Sequence, residues 1–369
     1  MPDVSADRRR TADYVRDSRI DRAVPLVTPD ALLEELPLSR EHAEVVIQGR
    51  REVHNVLDRI DRRLLAVVGP CSVHDPEATL EYAGKLAELA GRLSGELLIA
   101  MRVYFEKPRT TTGWKGLIND PRLDGSADVN AGLNLARRVL LGVLDTGLPV
   151  GCEFLDPITP QYIADAVSWG AIGARTTESQ IHRQLGSGLS MPVGFKNRTD
   201  GNVQVAVDAV RAAAEPHAFA GIEPNGRPAI LHTRGNADCH IILRGGKGRP
   251  NYDVDSVEAA LELLASAGLP ERVMIDFSHD NSGKDPERQP GVAAEVGAQI
   301  ASGNEAIVGV MLESFLVAGR QELRPDAQLR YGQSITDGCI AWKTTVAVLE
   351  GLAASVRDRN ATGAGTATR

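Results

Sequence analysis

Leu64-Leu65-Ala66-Val67-Val68-Gly69, followed by Pro70-Cys71, is an apolar run of strand length that stops at a thiol. Seven more runs are built alike: Leu97 to Met101 before Arg102, Val150 to Cys152 before Glu153, Ala171 to Ala174 before Arg175, Pro192 to Phe195 before Lys196, His240 to Leu243 before Arg244, Val273 to Phe277 before His279, and Ile307 to Met311 before Glu313. Short continuous apolar runs fit strands buried on both faces. Eight such strands, each ending in a residue that binds phosphate or metal, predict an α/β protein, a (β/α)8 TIM barrel with its site at the strands' C-terminal ends.

The intervening segments have helical period. Asp75-Pro76-Glu77 gives an N-cap, an N1 proline and a first-turn acid, after which Leu80, Ala83, Leu86, Ala90 and Leu93 mark one face. Leu133 to Leu144, Val203 to Ala213 and Val257 to Ala267 follow the same rule, with Gly147 and Gly268 as stops after the first and last. Three segments lie outside the scheme. Residues 1–60 form an N-terminal extension, polar up to about residue 19 and then reading as two helices between 29 and 60. The segment 219–239, with turn signals at Pro224-Asn225-Gly226, is expected to be an inserted hairpin inside the catalytic unit, 61–356. Residues 357–369 are expected to be a frayed, flexible tail.

Composition narrows the function. The chain has 369 residues, 43% apolar and 24% charged, enough for one large core. A formal charge of −8 argues against general nucleic-acid binding. No apolar stretch of membrane-spanning length and no signal peptide are visible, so a cytoplasmic location is expected. Cys71, Cys152, Cys239 and Cys339 are widely spaced and form no CxxC pair, so they do not look like a disulfide framework.

In a barrel the ends of the first, seventh and eighth strands and the segment after the eighth are neighbours, so Cys71, His279, Glu313 and Asp337 can converge. One thiolate, one imidazole and two carboxylates suit Mn²⁺, Fe²⁺, Co²⁺ or Zn²⁺ rather than Mg²⁺ or Ca²⁺. Taken alone, a cysteine after an apolar strand is more often core than ligand. The basic residues Arg102, Lys107, Arg109, Arg175, Lys196 and Arg244 all follow strand ends, unlike a solvated helix face. Arginine forks with lysine point charges suit a ligand bearing both carboxylate and phosphate. Small residues beside Arg175 (Gly173-Ala174) and Arg244 (Gly245-Gly246) allow such a ligand to approach the backbone.

Five longer motifs carry a resemblance. Gly69-Pro70-Cys71-Ser72-Val73-His74-Asp75, Met101 through Thr111 with Lys107-Pro108-Arg109-Thr110, Gly170 through Gln180, Gly194-Phe195-Lys196-Asn197 and Ile275-Asp276-Phe277-Ser278-His279 resemble the type I (class I alpha) 3-deoxy-D-arabino-heptulosonate-7-phosphate (DAHP) synthases. Tyr331-Gly332-Gln333-Ser334-Ile335-Thr336-Asp337 completes the set, and the likeness runs from about residue 18 to residue 355.

The resemblance implies a transferase, 3-deoxy-7-phosphoheptulonate synthase, which condenses phosphoenolpyruvate with erythrose 4-phosphate and water at the entry to the shikimate pathway of aromatic amino acid biosynthesis. It implies Cys71, His279, Glu313 and Asp337 as ligands of a divalent metal ion, manganese, iron or cobalt ahead of zinc. It further implies Arg102, Lys107, Arg175, Lys196 and Arg244 on phosphoenolpyruvate, Lys107-Pro108-Arg109-Thr110 at the phosphate of erythrose 4-phosphate, and Glu153 near the first of these sites. Lys107 is the preferred general acid for the aldehyde oxygen, with His279 and a metal-bound water as competitors.

In the resembled family the extension and hairpin together form an aromatic amino acid site at a subunit boundary. That implies allosteric control and a homodimer or homotetramer, and Gly221 leans the inhibitor towards tyrosine. Two departures stand out: Arg198, where many relatives carry glycine, and Phe315, where the residue is often polar. Cys152 is expected to be packing. The alternatives are a sister synthase that uses arabinose 5-phosphate and a non-catalytic barrel that binds an aromatic amino acid.

Overall fold

The computed structural model describes residues 17–109, 111, 113–324 and 328–366. Thr110 of the expected substrate loop, like residues 1–16 of the extension, lies outside them.

Eight parallel strands close into a barrel: β1 (Leu64–Gly69), β2 (Leu97–Arg102), β3 (Val150–Glu153), β4 (Trp169–Ile172), β5 (Val193–Lys196), β8 (His240–Leu243), β9 (Val273–Asp276) and β10 (Ile307–Phe315). Neighbours pair in chain order, and β10 returns to β1 with Leu65 opposite Gly309 and Gly69 opposite Glu313. Every residue of these strands is buried, which is why the runs are continuously apolar and do not alternate.

Alternate strand residues serve two cores. Leu64, Ala66 and Val68 of β1 pack outward under the helices. Leu65 and Val67 point into the barrel with Leu98, Ala100, Trp169, Ile242, Met274 and Met311. The helices that follow the strands include α3 (Pro76–Arg92), α4 (Val129–Leu144), α6 (Gln180–Gly188), α7 (Gln204–Ala214), α8 (Val254–Ser266) and α9 (Gln289–Ala301), with a short α5 (Pro160–Ile163) after β3. Asp75 caps α3 as expected, its Oδ1 accepting from the Ala78 amide at 3.1 Å.

The described part of the extension contains α1 (Pro29–Glu35) and α2 (Arg40–Leu57). Val53, Val56 and Leu57 of α2 join the interior cluster, so this helix plugs the N-terminal mouth of the barrel. The insertion is an antiparallel hairpin, β6 (Ala218–Ile222) and β7 (Pro228–His232). Its turn docks on the start of α1, where the Asp30 amide donates to the Pro224 carbonyl at 2.8 Å.

The C-terminus differs from expectation. After β11 (Ile340–Ala341), α10 (Trp342–Thr366) continues through most of the segment expected to fray. Val356 is fully buried, and the nearly buried Arg359 donates to the Arg62 carbonyl. That anchor at the barrel's N-terminal mouth is invisible in a polar local composition.

Candidate active site

The strand ends surround one cavity of about 470 Å³. Arg102, Lys107, Pro108, Arg109, Glu153, Arg175, Lys196, Arg244, His279, Glu313 and Asp337 all line it, and Cys71 lies buried at its floor against Asp337. Thus the structure gathers every described residue of the expected substrate and metal sets.

At the floor, Cys71, Glu313 and Asp337 place ligand atoms within 4.8 Å of one another. The Asp337 amide donates to Cys71 Sγ at 3.4 Å, and that thiol faces Asp337 Oδ2 at 3.5 Å. Burial, with the Glu313 and Asp337 carboxylates, pushes the Cys71 thiol up to about 12. Asp337 stays below the usual carboxylate range: burial opposes this, but Lys107 and His279 outweigh it.

His279 stands at the edge of this group, with Nε2 3.9 Å from Glu313 Oε1. Its Nδ1 is 2.8 Å from Asp276 Oδ2 and 2.7 Å from Ser278 Oγ. A proton held on Nδ1 by that carboxylate leaves Nε2 free to ligate, the usual support of a metal-binding imidazole. His279 also has a φ of +55°, a conformation that costs energy for a residue with a Cβ and recurs at functional sites. The donor set therefore fits a divalent ion of intermediate softness, as the residue types predicted.

Arg102 forms the inner wall. It is 1% exposed, its Nη2 donates to Glu313 Oε1 at 3.1 Å and to the Cys71 carbonyl at 3.2 Å, and its Cζ lies 3.7 Å from the Tyr104 ring centroid. Its Nη1 is buried without a partner among the described residues, as is Nε of Arg244. Buried guanidinium donors of this kind are expensive unless a ligand completes them. Lys196 donates to Asp276 Oδ2 at 2.8 Å, and Arg244 pairs with Asp280. Lys107 is buried with its ammonium facing Cys71, Glu313 and Asp337; these raise its affinity for protons although burial and Arg102 oppose them. Arg175 is exposed at the rim.

Gly173 makes room for Glu153. A Cβ on Gly173 would stand 2.2 Å from Glu153 Oε1, so a larger residue in the turn carrying Arg175 would have to push the Glu153 carboxylate aside.

Sequence reasoning passed over several members. Asp276 links Lys196 to His279 from the last position of β9, and the acid closing Met274-Ile275-Asp276 was the available signal. Gln289 brackets Glu313, donating to its carbonyl and accepting from its amide at 3.0 Å each. Lys247 and Lys284 also line the cavity, and nothing in their local sequence marks them. Two suspected disturbances lie outside the cavity. Phe315 packs in the core against His74 and Tyr82, and Arg198 turns to Glu178 and Asp200. Cys152 is fully buried as packing.

A closed barrel with a cationic cavity over a thiolate, imidazole and carboxylate donor set defines a class of metal-dependent enzymes acting on phosphorylated anions. The sequence matches the DAHP synthetase I family over residues 42–350, and the chain belongs to that family. It is 56% identical over 343 residues to the Phe-sensitive phospho-2-dehydro-3-deoxyheptonate aldolase of Escherichia coli K12, covering 93% of this chain and 98% of that one. Identity to the Corynebacterium glutamicum phospho-2-dehydro-3-deoxyheptonate aldolase is also 56%, over 91% and 93% of the two chains. The solved structure of the Francisella tularensis SCHU S4 phospho-2-dehydro-3-deoxyheptonate aldolase superposes with a TM-score of 0.90 at 49% identity, covering 92% of this chain and 99% of that one. The chain is thus an enzyme with 3-deoxy-7-phosphoheptulonate synthase activity. Among the described residues, no helix is long and apolar enough to cross a membrane.

Proposed function

We propose that this chain joins phosphoenolpyruvate to erythrose 4-phosphate with the residues gathered in the 470 Å³ cavity. The observation that carries the assignment is the pairing of unsatisfied guanidinium donors on Arg102 and Arg244 with a three-ligand floor, buried at Cys71 and Glu313 and open at Asp337, in one chamber.

Arg102, Arg175, Lys196 and Arg244 hold the carboxylate and phosphate of phosphoenolpyruvate, while Pro108 and Arg109, with Thr110 beyond the described residues, receive the phosphate of erythrose 4-phosphate. Two anions are thereby kept side by side, which is most of the entropic task. A bond forms between C3 of phosphoenolpyruvate and the aldehyde carbon, and the aldehyde oxygen takes a proton. Lys107 is the donor, an ammonium kept charged by the acidic groups around it. Water then adds at C2, and the C–O bond to phosphate breaks to release inorganic phosphate. Glu153 faces this end of the cavity and orients that water. Cys71, His279, Glu313 and Asp337 would hold a divalent metal, with Mn²⁺, Fe²⁺ and Co²⁺ ahead of Zn²⁺, which when bound supplies Lewis-acid polarisation of the aldehyde.

Phe- and Tyr-sensitive relatives, the latter 52% identical to this chain, support control by an aromatic amino acid here. The hairpin and N-terminal extension are its proposed seat, tyrosine the favoured ligand and a homodimer or homotetramer the proposed assembly. Four free, buried cysteines suit a reducing cytoplasm.

Phosphate release by chelator-treated protein tests the reading. Release should require both substrates and return with Mn²⁺. Failure with every divalent metal tried would overturn it.

A further inference from the structure

Glu106 precedes Lys107 but does not line the cavity; its side chain turns the other way and is 3% exposed. Its Oε2 accepts a hydrogen bond from Thr159 Oγ1 at 3.0 Å. Thr159 lies in the connection between β3 and α5, where Asp156 Oδ1 accepts from the amides of Ile158 at 2.7 Å and Thr159 at 3.2 Å. The bond therefore joins the loop after β2 to the loop after β3.

The backbone on Glu106's own side is already fixed. The Lys107 amide donates to the Lys115 carbonyl at 2.9 Å, and Arg109 Nε donates to the Trp114 carbonyl at 2.8 Å. Gly116 has a φ of +114°, and a Cβ there would lie 2.0 Å from the Phe105 carbonyl oxygen. Residues 105–109 are thus held against 113–116, and Glu106 ties residues 105–109 to the next loop.

We propose that Glu106 is a positioning residue whose buried carboxyl, in its neutral form, holds the loop carrying Lys107 and Arg109 in place for erythrose 4-phosphate. The proposal rests on the reading of Lys107 and Arg109 given above. Burial, then Asp156, raises the Glu106 carboxyl to about 7, while Thr159 and the amides of Asp156 and Leu155 pull it back. Cys152 of β3 also faces it, and Lys107 offers no compensation because its ammonium sits among Cys71, Glu313 and Asp337. For a carboxyl raised in the folded state, the favourable form is neutral, and its contribution is lost as pH rises through about 7. Above that pH a carboxylate stands buried beside Asp156, and its burial and that repulsion outweigh the stronger bond from Thr159, so the loop is pushed away.

The test follows the KM for erythrose 4-phosphate and amide hydrogen exchange of residues 105–118 from pH 6 to 8.5, on the full chain. Between those limits the KM of the wild type should rise about threefold to tenfold, within the tenfold that each pK unit allows, with a smaller change in kcat. Exchange protection, corrected for intrinsic rates, should fall over the same range without substrates. Glu106→Gln should flatten both profiles. Thr159→Val removes a bond to the ionised form and should move the midpoint to higher pH. An undiminished step in Glu106→Gln, or an unmoved midpoint in Thr159→Val, overturns the proposal. An exchange step lost in Glu106→Gln, in a protein that turns over no erythrose 4-phosphate, would sustain the tie and remove the substrate reading instead.

Discussion

The two mouths of the barrel are both rich in arginine, yet only one of them is built to receive a ligand. At the N-terminal mouth Arg63 grips Asp61 through Nε at 2.9 Å and Nη2 at 2.6 Å, and Arg50 donates to the carbonyls of Val167 and Ala164 at 2.9 and 2.8 Å. Arg272 reaches Asp58 at 2.6 Å and the Ala237 carbonyl at 2.8 Å, leaving only its Nε without a partner among the described residues. At the C-terminal mouth Lys107, Arg109, Arg175, Lys247 and Lys284 have no ion pair among the described residues, and Arg102 and Arg244 keep buried donors open. Arginine content alone does not separate structure from function. The number of open donors does: among the described residues the N-terminal mouth leaves Arg272 Nε, whereas the C-terminal mouth leaves Arg102 Nη1, Arg244 Nε and five cations without an ion pair.

The sharpest way to break this comparison is Arg102→Ala. Removing one partner of a buried ion pair leaves Glu313 uncompensated and strips an arm from the proposed phosphoenolpyruvate cradle. A loss in kcat/KM of about a thousandfold is expected, equal to about 4 kcal/mol. Steady-state phosphate release, with circular dichroism to confirm folding, measures it. A loss below tenfold would mean that the C-terminal mouth uses its arginines as the other mouth does.

Arg272→Met probes the opposite mouth and should reverse the pattern. The change frees Asp58 to water and deletes bonds to the carbonyls of Ala237 and Cys239, lowering unfolding stability by about 2 to 3 kcal/mol. The midpoint of thermal or urea unfolding reports this, while kcat/KM measured well below that midpoint stays within about twofold, as for a change remote from the site. A large loss of activity in a stable variant would make the N-terminal mouth functional too.

How much of this was legible before folding depends on the range of the interaction. The eight strands could be read because burial on both faces writes itself as uninterrupted runs such as Leu64–Gly69, and Cys71, His279 and Glu313 stood out as candidates because each sits two residues past a run, whereas Asp337 follows no run. The hairpin at Ala218–Ile222 and Pro228–His232 was equally local, marked by its turn. What stayed hidden was relational. Asp276 matters because it stands between Lys196 and His279, Gln289 because it clamps the strand residue Glu313 from the start of α9, and Arg359 because its carbonyl partner is across the molecule at Arg62. His279 shows the limit most plainly: its candidacy for the metal set was readable, whereas its left-handed backbone and its place at the edge of the Cys71, Glu313 and Asp337 group were not.

Arg198 offers the finest test, because it stands just past Lys196 at the C-terminal mouth yet uses its donors as the N-terminal mouth does. Its Nη1 meets Glu178 Oε1 at 2.7 Å and its Nη2 meets Asp200 Oδ2 at 3.3 Å. Glu178 belongs to the turn that carries Arg175, so Arg198 staples the loop after β4 to the loop after β5 without entering the cavity. Arg198 and Glu178 are both more than a third exposed, and such a pair is worth at most about 1 kcal/mol once water and salt have screened it. Arg198→Gly should therefore raise the KM for phosphoenolpyruvate about twofold to fivefold, by loosening Arg175, and leave kcat nearly unchanged. Raising the salt concentration should erase the difference between wild type and variant, because screening removes from the wild type what the substitution removes from the variant. A difference that persists in high salt would show that Arg198 acts through backbone restraint at the end of β5, where glycine is the freer residue, and not through its charge.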